Sequence, residues 1–139
     1  MTNWNETIGT ANHNLLPGAT PSSVASAEAQ LGTALPSEYK EFLKFADGGY
    51  LNNRTIILFS AGKGVHPSET LAAANHSLPA DHPLLIIGRT AYEDFGFRRS
   101  DLALPSPAVF LYRHEGRRLT KLAESLQTFL HQPPKPEQK

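Results

Sequence analysis

The segment from Leu35-Pro36-Ser37 to Asp47-Gly48-Gly49 limits the fold most tightly. Tyr39, Phe42, Leu43 and Ala46 stand at i, i+3, i+4 and i+7, which is one face of an α-helix, while Glu38, Lys40, Glu41 and Lys44 take the other. Such a stripe has to be covered by a second layer, and each large apolar side chain stabilises by about 1.5–3 kcal/mol when buried. Asp47-Gly48-Gly49 is expected to stop the helix, because glycine adopts a left-handed conformation at little cost.

The other elements follow from the same rules. Trp4, Ile8 and Ala11 predict a short helix over residues 3–11, broken by Leu15-Leu16-Pro17-Gly18. Thr20-Pro21 is a helix start, Val24, Ala27 and Leu31 follow on one face, and Gly32 is its stop. Residues 55–59, Thr-Ile-Ile-Leu-Phe, read as a buried strand and residues 60–67 as a flexible loop. An alanine-rich helix capped by Ser68 runs to His76, and residues 84–88 form a second buried strand. Phe95-Gly96-Phe97 suggests a short strand. A hairpin of residues 108–113 and 117–121 turns at Glu115-Gly116. Leu122, Leu126, Phe129 and Leu130 mark a last helix, ended by Pro133-Pro134. The expected fold is α+β, a mostly antiparallel sheet flanked by helices on one side, with N- and C-terminal helices. Residues 1–132 are expected to form one domain and residues 133–139 a polar, proline-rich tail.

Charge and composition exclude some functions. With 13 basic and 13 acidic residues the formal charge is zero, so net charge drives no binding to nucleic acid or membrane. The absence of cysteine removes disulfides, thiolate metal sites and thiol nucleophiles. The first residues lack a signal-peptide pattern, and no apolar run approaches the roughly 20 residues of a membrane helix, so a soluble, cytoplasmic protein is expected.

Catalytic motifs fail on spacing. Ala61-Gly62-Lys63-Gly64 resembles a phosphate loop, but Ile57 stands where a glycine is needed and Gly64 where Ser or Thr is needed. Leu78-Pro79 and Pro83 place His76, Asp81 and His82 on an irregular loop rather than one helix face, which makes solvated loop histidines the expectation and no metal site. Glu93-Asp94 is a carboxylate pair, but neighbours on a strand point to opposite faces. Arg113, Arg117, Arg118 and Lys121, beside Tyr112, form a basic cluster that suits a solvated hairpin edge better than an RNA site. Tyr50, Arg54, Tyr92, Phe95 and Arg98 lie in loops or strand ends, and Tyr and Arg are the residue types enriched at interface hot spots.

Glu28-x-x-Leu31-Gly32, then Leu35-Pro36-x-x-Tyr39-Lys40-x-Phe42-Leu43 and Asp47-Gly48-Gly49, resemble the N-terminal signature of the SUKH superfamily. That superfamily includes the yeast cell-wall assembly regulators and many bacterial immunity proteins. The closing stretch from Leu122 to Leu130, and the strand before it, are similar to its C-terminal part. The central stretch from Gly88 to Gly96 matches only loosely. The resemblance implies an α+β domain that is no enzyme, takes no cofactor and neutralises a cognate toxin of a polymorphic toxin system by occlusion. Tyr50, Arg54, Tyr92, Glu93, Asp94 and Arg98 are the residues expected to meet the toxin. A regulatory interaction scaffold is the alternative, and a small-molecule binder or enzyme using Glu93 and Asp94 is the third reading.

Overall fold

The tyrosine–phenylalanine stripe sits where its periodicity puts it: Tyr39, Phe42 and Leu43 are buried. The computed structural model describes residues 4, 14–51, 56–62, 67–79, 82–113 and 115–131. Of the first expected helix, Trp4 alone is described; it is helical, buried, and packs edge-on against Phe42 at 5.3 Å between ring centroids. Ile8, Ala11 and the tail of residues 133–139 lie outside the described residues.

The first fully described helix, α1 (Pro21–Leu31), has the expected ends. Thr20 accepts the Ser23 amide at 3.1 Å, proline opens the first turn, and Gly32 closes it at φ 74°. Helix α2 (Ser37–Phe45) follows. Its start is held from afar: the Glu38 amide donates to Pro105 O at 3.0 Å, while the Glu38 carboxylate accepts the Leu126 amide at 3.0 Å.

Among the described residues, seven strands form one antiparallel sheet whose spatial order equals the sequence order. They are β1 (Asn14–Pro17), β2 (Ala46–Leu51), β3 (Ile56–Leu58), β4 (Leu84–Arg89), β5 (Glu93–Arg98), β6 (Val109–Arg113) and β7 (Arg118–Ala123). Helices α3 (Leu71–His76) and α4 (Leu126–His131) complete the α+β architecture. Helices α2 and α4 lie on one face of the sheet, with Tyr39 against Phe97 and Phe129 against Phe95 at 5.5 and 4.8 Å between centroids. No described helix is long and apolar enough to cross a membrane.

Several elements differ from expectation. Leu15-Leu16-Pro17 belongs to strand β1 rather than a break, and proline is tolerated there because β1 is an edge strand. Asp47-Gly48-Gly49 is not the stop of α2. The helix ends when Ala46 turns extended (φ −151°), and the glycines continue into β2. Gly48 has φ 79°, and a Cβ there would stand 2.6 Å from Leu58 O, so glycine serves a close strand crossing. Helix α3 starts from Thr70, whose Oγ1 accepts the Ala73 amide at 3.2 Å, because Pro67–Glu69 is a separate 3₁₀ turn. The Phe95-Gly96-Phe97 strand extends to six residues, and β7 runs through Leu122, so α4 begins only after Ser125. Thr55 lies outside the described residues.

Strand β3 is short, and β4 outruns it. Where β3 stops, the side chain of Asn75 on α3 takes its place beside Ile86. Asn75 Nδ2 donates to Ile86 O and Oδ1 accepts the Ile86 amide, both at 2.9 Å. The same Nδ2 donates to Leu71 O at 2.9 Å. Replacing Asn75 by leucine is expected to orphan both Ile86 groups, at about 1–3 kcal/mol each, read by urea unfolding.

Tyr39 is fully buried, and its Oη makes no hydrogen bond to any described residue. Burial first, and then the charge of Asp47, push its phenol above the ordinary tyrosine range. The unfolded chain ionises this group near pH 10 while the folded chain keeps it neutral, so stability falls as pH rises above about 10. Tyr39→Phe is expected to hold stability at neutral pH within about 1 kcal/mol and to flatten that alkaline decline, as measured by urea unfolding at both pH values.

Candidate functional site

Register fixes which side chains share a face of the sheet, because directly paired residues point the same way. One row crosses the strands from β2 to β7: Tyr50, Ile57, Arg89, Asp94, Tyr112 and Leu119 are successive partners. Phe95 and Phe97, on the alternate positions of β5, meet α4 and α2, so the Asp94 row faces away from those helices. The segment before β4 folds onto this opposite face and brings His82 to it.

Asp94 is nearly inaccessible. Its carboxylate faces Arg89 Nε at 3.4 Å and His82 Nε2 at 3.7 Å. His82 is buried rather than the solvated loop residue its surroundings suggest, with its ring 4.5 Å from that of Tyr112. Its Nδ1 accepts the Leu84 amide at 3.1 Å, so the proton of the neutral ring sits on Nε2, toward Asp94. Arg89 also lies over the Phe59 ring at 5.3 Å, and its side chain remains 37% exposed. A buried carboxylate thus aims a partly exposed guanidinium across the sheet.

Glu93 points to the other face and has other partners. It accepts from Thr90 Oγ1 and Arg113 Nη2, both at 3.2 Å, and so locks the β4–β5 turn to β6. The separation of Glu93 and Asp94 onto opposite faces therefore holds. At the β4–β5 turn, just before Glu93, Tyr92 is 52% exposed. Arg98 is exposed at the far end of β5, with Nε donating to Asp101 at 2.9 Å and the guanidinium 4.7 Å from the Phe110 ring centroid. Tyr50, on β2, donates its hydroxyl to Glu69 at 2.8 Å. Arg54 lies outside the described residues.

The six sequence candidates are thus not one cluster. Tyr50 and Asp94 share the row, Tyr92 and Arg98 stand at opposite ends of β5, and Glu93 lies beneath. Arg89, Tyr112 and His82 are the residues sequence reasoning passed over as a group; only strand register joins them.

The loop that resembles a phosphate cradle holds an anion of its own. Asp47 Oδ1 and Oδ2 accept the Ala61 and Gly62 amides at 2.7 and 3.0 Å, and Ser60 Oγ donates to Asp47 O at 2.6 Å. The described part of the expected flexible loop is therefore clamped, while Lys63 and Gly64 lie outside the described residues. His76 sits on α3 with Nε2 3.0 Å from Gln30 O, apart from the surroundings of His82, and Asp81 is not among the described residues. Among the described residues no group of three or more His, Asp or Glu side chains could hold a metal ion.

Removing the Asp94 carboxylate takes the counter-charge from Arg89, whose side chain at 37% exposure still reaches solvent. Asp94→Ala is expected to cost about 1–3 kcal/mol. Arg98→Ala, at an exposed pair, should cost about 1 kcal/mol or less. Equilibrium denaturation of the two variants side by side measures the contrast.

A search of curated proteins returned no match to this chain. A family model described as SMI1 / KNR4 family (SUKH-1) matches residues 18–132. The match takes in α1 to α4 and every strand from β2 to β7. It spans well over half of the sequence, and the chain therefore belongs to the SMI1 / KNR4 family (SUKH-1).

Proposed function

We propose that this protein is a non-catalytic binding module that neutralises a cognate bacterial protein toxin by occlusion, in the cytoplasm where the toxin would act. Family membership supports a binding role of this kind. The observation that carries the reading is the polar and aromatic row across the sheet face turned away from α2 and α4, with Arg89 aimed by Asp94 and with Tyr50 and Tyr112 half-buried in the row. Tyr and Arg held in place by packing lose little conformational freedom on binding, which suits them as anchors.

In this reading Tyr50, Tyr92 and Arg98 supply contact atoms. Glu93 and Asp94 act behind the surface, holding Arg113 and Arg89. Arg54 is kept in the surface on residue type alone. From Tyr92 to Arg98 the strand spans roughly 20 Å. A standard interface of about 800 Å² per partner covers that length.

Co-expression with a toxin encoded beside the gene is expected to restore growth and to yield a stoichiometric complex. Tyr92→Ala and Arg98→Ala should each weaken that complex by about tenfold or more without changing the fold. Full protection and unchanged affinity in both variants would remove these residues from the surface. Failure of the intact protein to protect would remove the toxin, and stoichiometric recovery of a regulatory or envelope protein would replace it with a scaffold role.

A further inference from the structure

The two edges of the sheet are built differently. Strand β1 is four residues long, contains Pro17 and has an irregular register between Leu15 and Pro17. Those are the usual means of blunting an edge. Strand β7 is six residues long without proline, and its pairing with β6 is regular from Lys121 back to Arg118. Arg118, Leu119, Thr120 and Lys121 are all exposed, and β7 is the last strand in the sheet order. Among the described residues no strand lies outside it, so alternate backbone groups along this stretch face outward.

The side chains on this edge are cationic. Arg118 lies directly opposite Arg113, a like-charge pair in register. Arg113 is compensated by Glu93 at 3.2 Å, whereas Arg118 has no carboxylate partner among the described residues. Among the described residues Lys121 pairs with the exposed Glu124, at 2.7 Å. Leu119, on the face of Tyr112, is 38% exposed. A second copy pairing here would set Arg118 and Lys121 against the same cations, so self-association is opposed. An acidic strand meets the reverse situation.

We propose that the outer edge of β7, residues Arg118–Lys121, receives an extended acidic segment of the partner protein as an eighth strand. The inference rests on the protein-binding reading above and names the chemistry of the partner. Arg118 and Lys121 fall on opposite faces of the strand, with Leu119 on the face of Lys121. The complementary segment carries a carboxylate opposite each cation and an apolar residue opposite Leu119, as in Glu-Thr-Val-Glu. Backbone pairing supplies the affinity and these side chains the selection.

The test titrates the full isotope-labelled chain with a capped peptide containing Glu-Thr-Val-Glu and follows the amide resonances. Shifts centred on Arg118–Lys121 are expected, with binding about tenfold or more weaker for the Lys-Thr-Val-Lys peptide. The double variant Arg118→Glu, Lys121→Glu should reverse that preference, and N-methylation of alternate peptide amides should abolish binding. Absence of shifts in β7 at the solubility limit, equal binding of the N-methylated peptide, or shifts at these residues with an oligouridylate but not with the peptide would each overturn the proposal. Toxin protection is scored separately. Unchanged protection by the double variant removes the edge and leaves the immunity reading. Peptide binding at β7 by a chain that protects against no toxin does the opposite.

Discussion

The rest of the structure depends on how β4 finds partners along its whole length. Strand β3 offers only Ile57 and Leu58 to it, and the Phe59 amide adds one more bond, to Ile87 O. Beyond that point β4 would bury unpaired backbone, which costs as much as lost hydrogen bonds. Asn75 answers this with an amide side chain that imitates a strand, donating and accepting at Ile86. Because Asn75 sits on α3, the requirement fixes that helix against the sheet. It thereby fixes α1, which packs against α3, and the segment that carries His82 onto the opposite face.

The sheet positions the functional surface through the same pairing. Each strand from β2 to β7 contributes one residue to the row from Tyr50 to Leu119, and a shift of one residue in any strand would turn its contribution to the other face. Asp94 is the most constrained member, closed in by Arg89 and His82. Of these, strand register places Arg89 beside it, and the segment leading into β4 brings His82.

Local chemistry made part of this legible in the sequence. Helix α1 could be read completely, since Thr20, Pro21 and Gly32 act within a few residues of one another. The stripe of α2 was equally plain. The glycine pair was not, because the local rule that glycine stops a helix lost to a tertiary need, the close passage of Gly48 by Leu58. The start of α3 depended on Ser60, whose backbone bonds Glu69 and Leu71 and so selects Thr70 over Ser68 as the cap. For the site, the exposure of Tyr92 and Arg98 agreed with their residue types. The burial of Glu93 and Asp94 was hidden, because their partners Arg113, Arg89 and His82 come from other strands and a loop. The family resemblance was legible because its motif is made of the end of α1, the start and core stripe of α2 and the opening of β2, features written in contiguous residues.

The bonds from Asp47 to Ala61 and Gly62 have one more consequence. Backbone amides gathered at a glycine-containing turn form a ready receptor for phosphate. Here the receptor is filled by a carboxylate belonging to the same chain. A tethered ligand competes at an effective concentration in the millimolar range or above. A free nucleotide would have to displace it without gaining any contact the carboxylate does not already make at those two amides. The turn is thus self-inhibited as an anion site, and the anion that occupies it fastens β2 to the segment leading into α3.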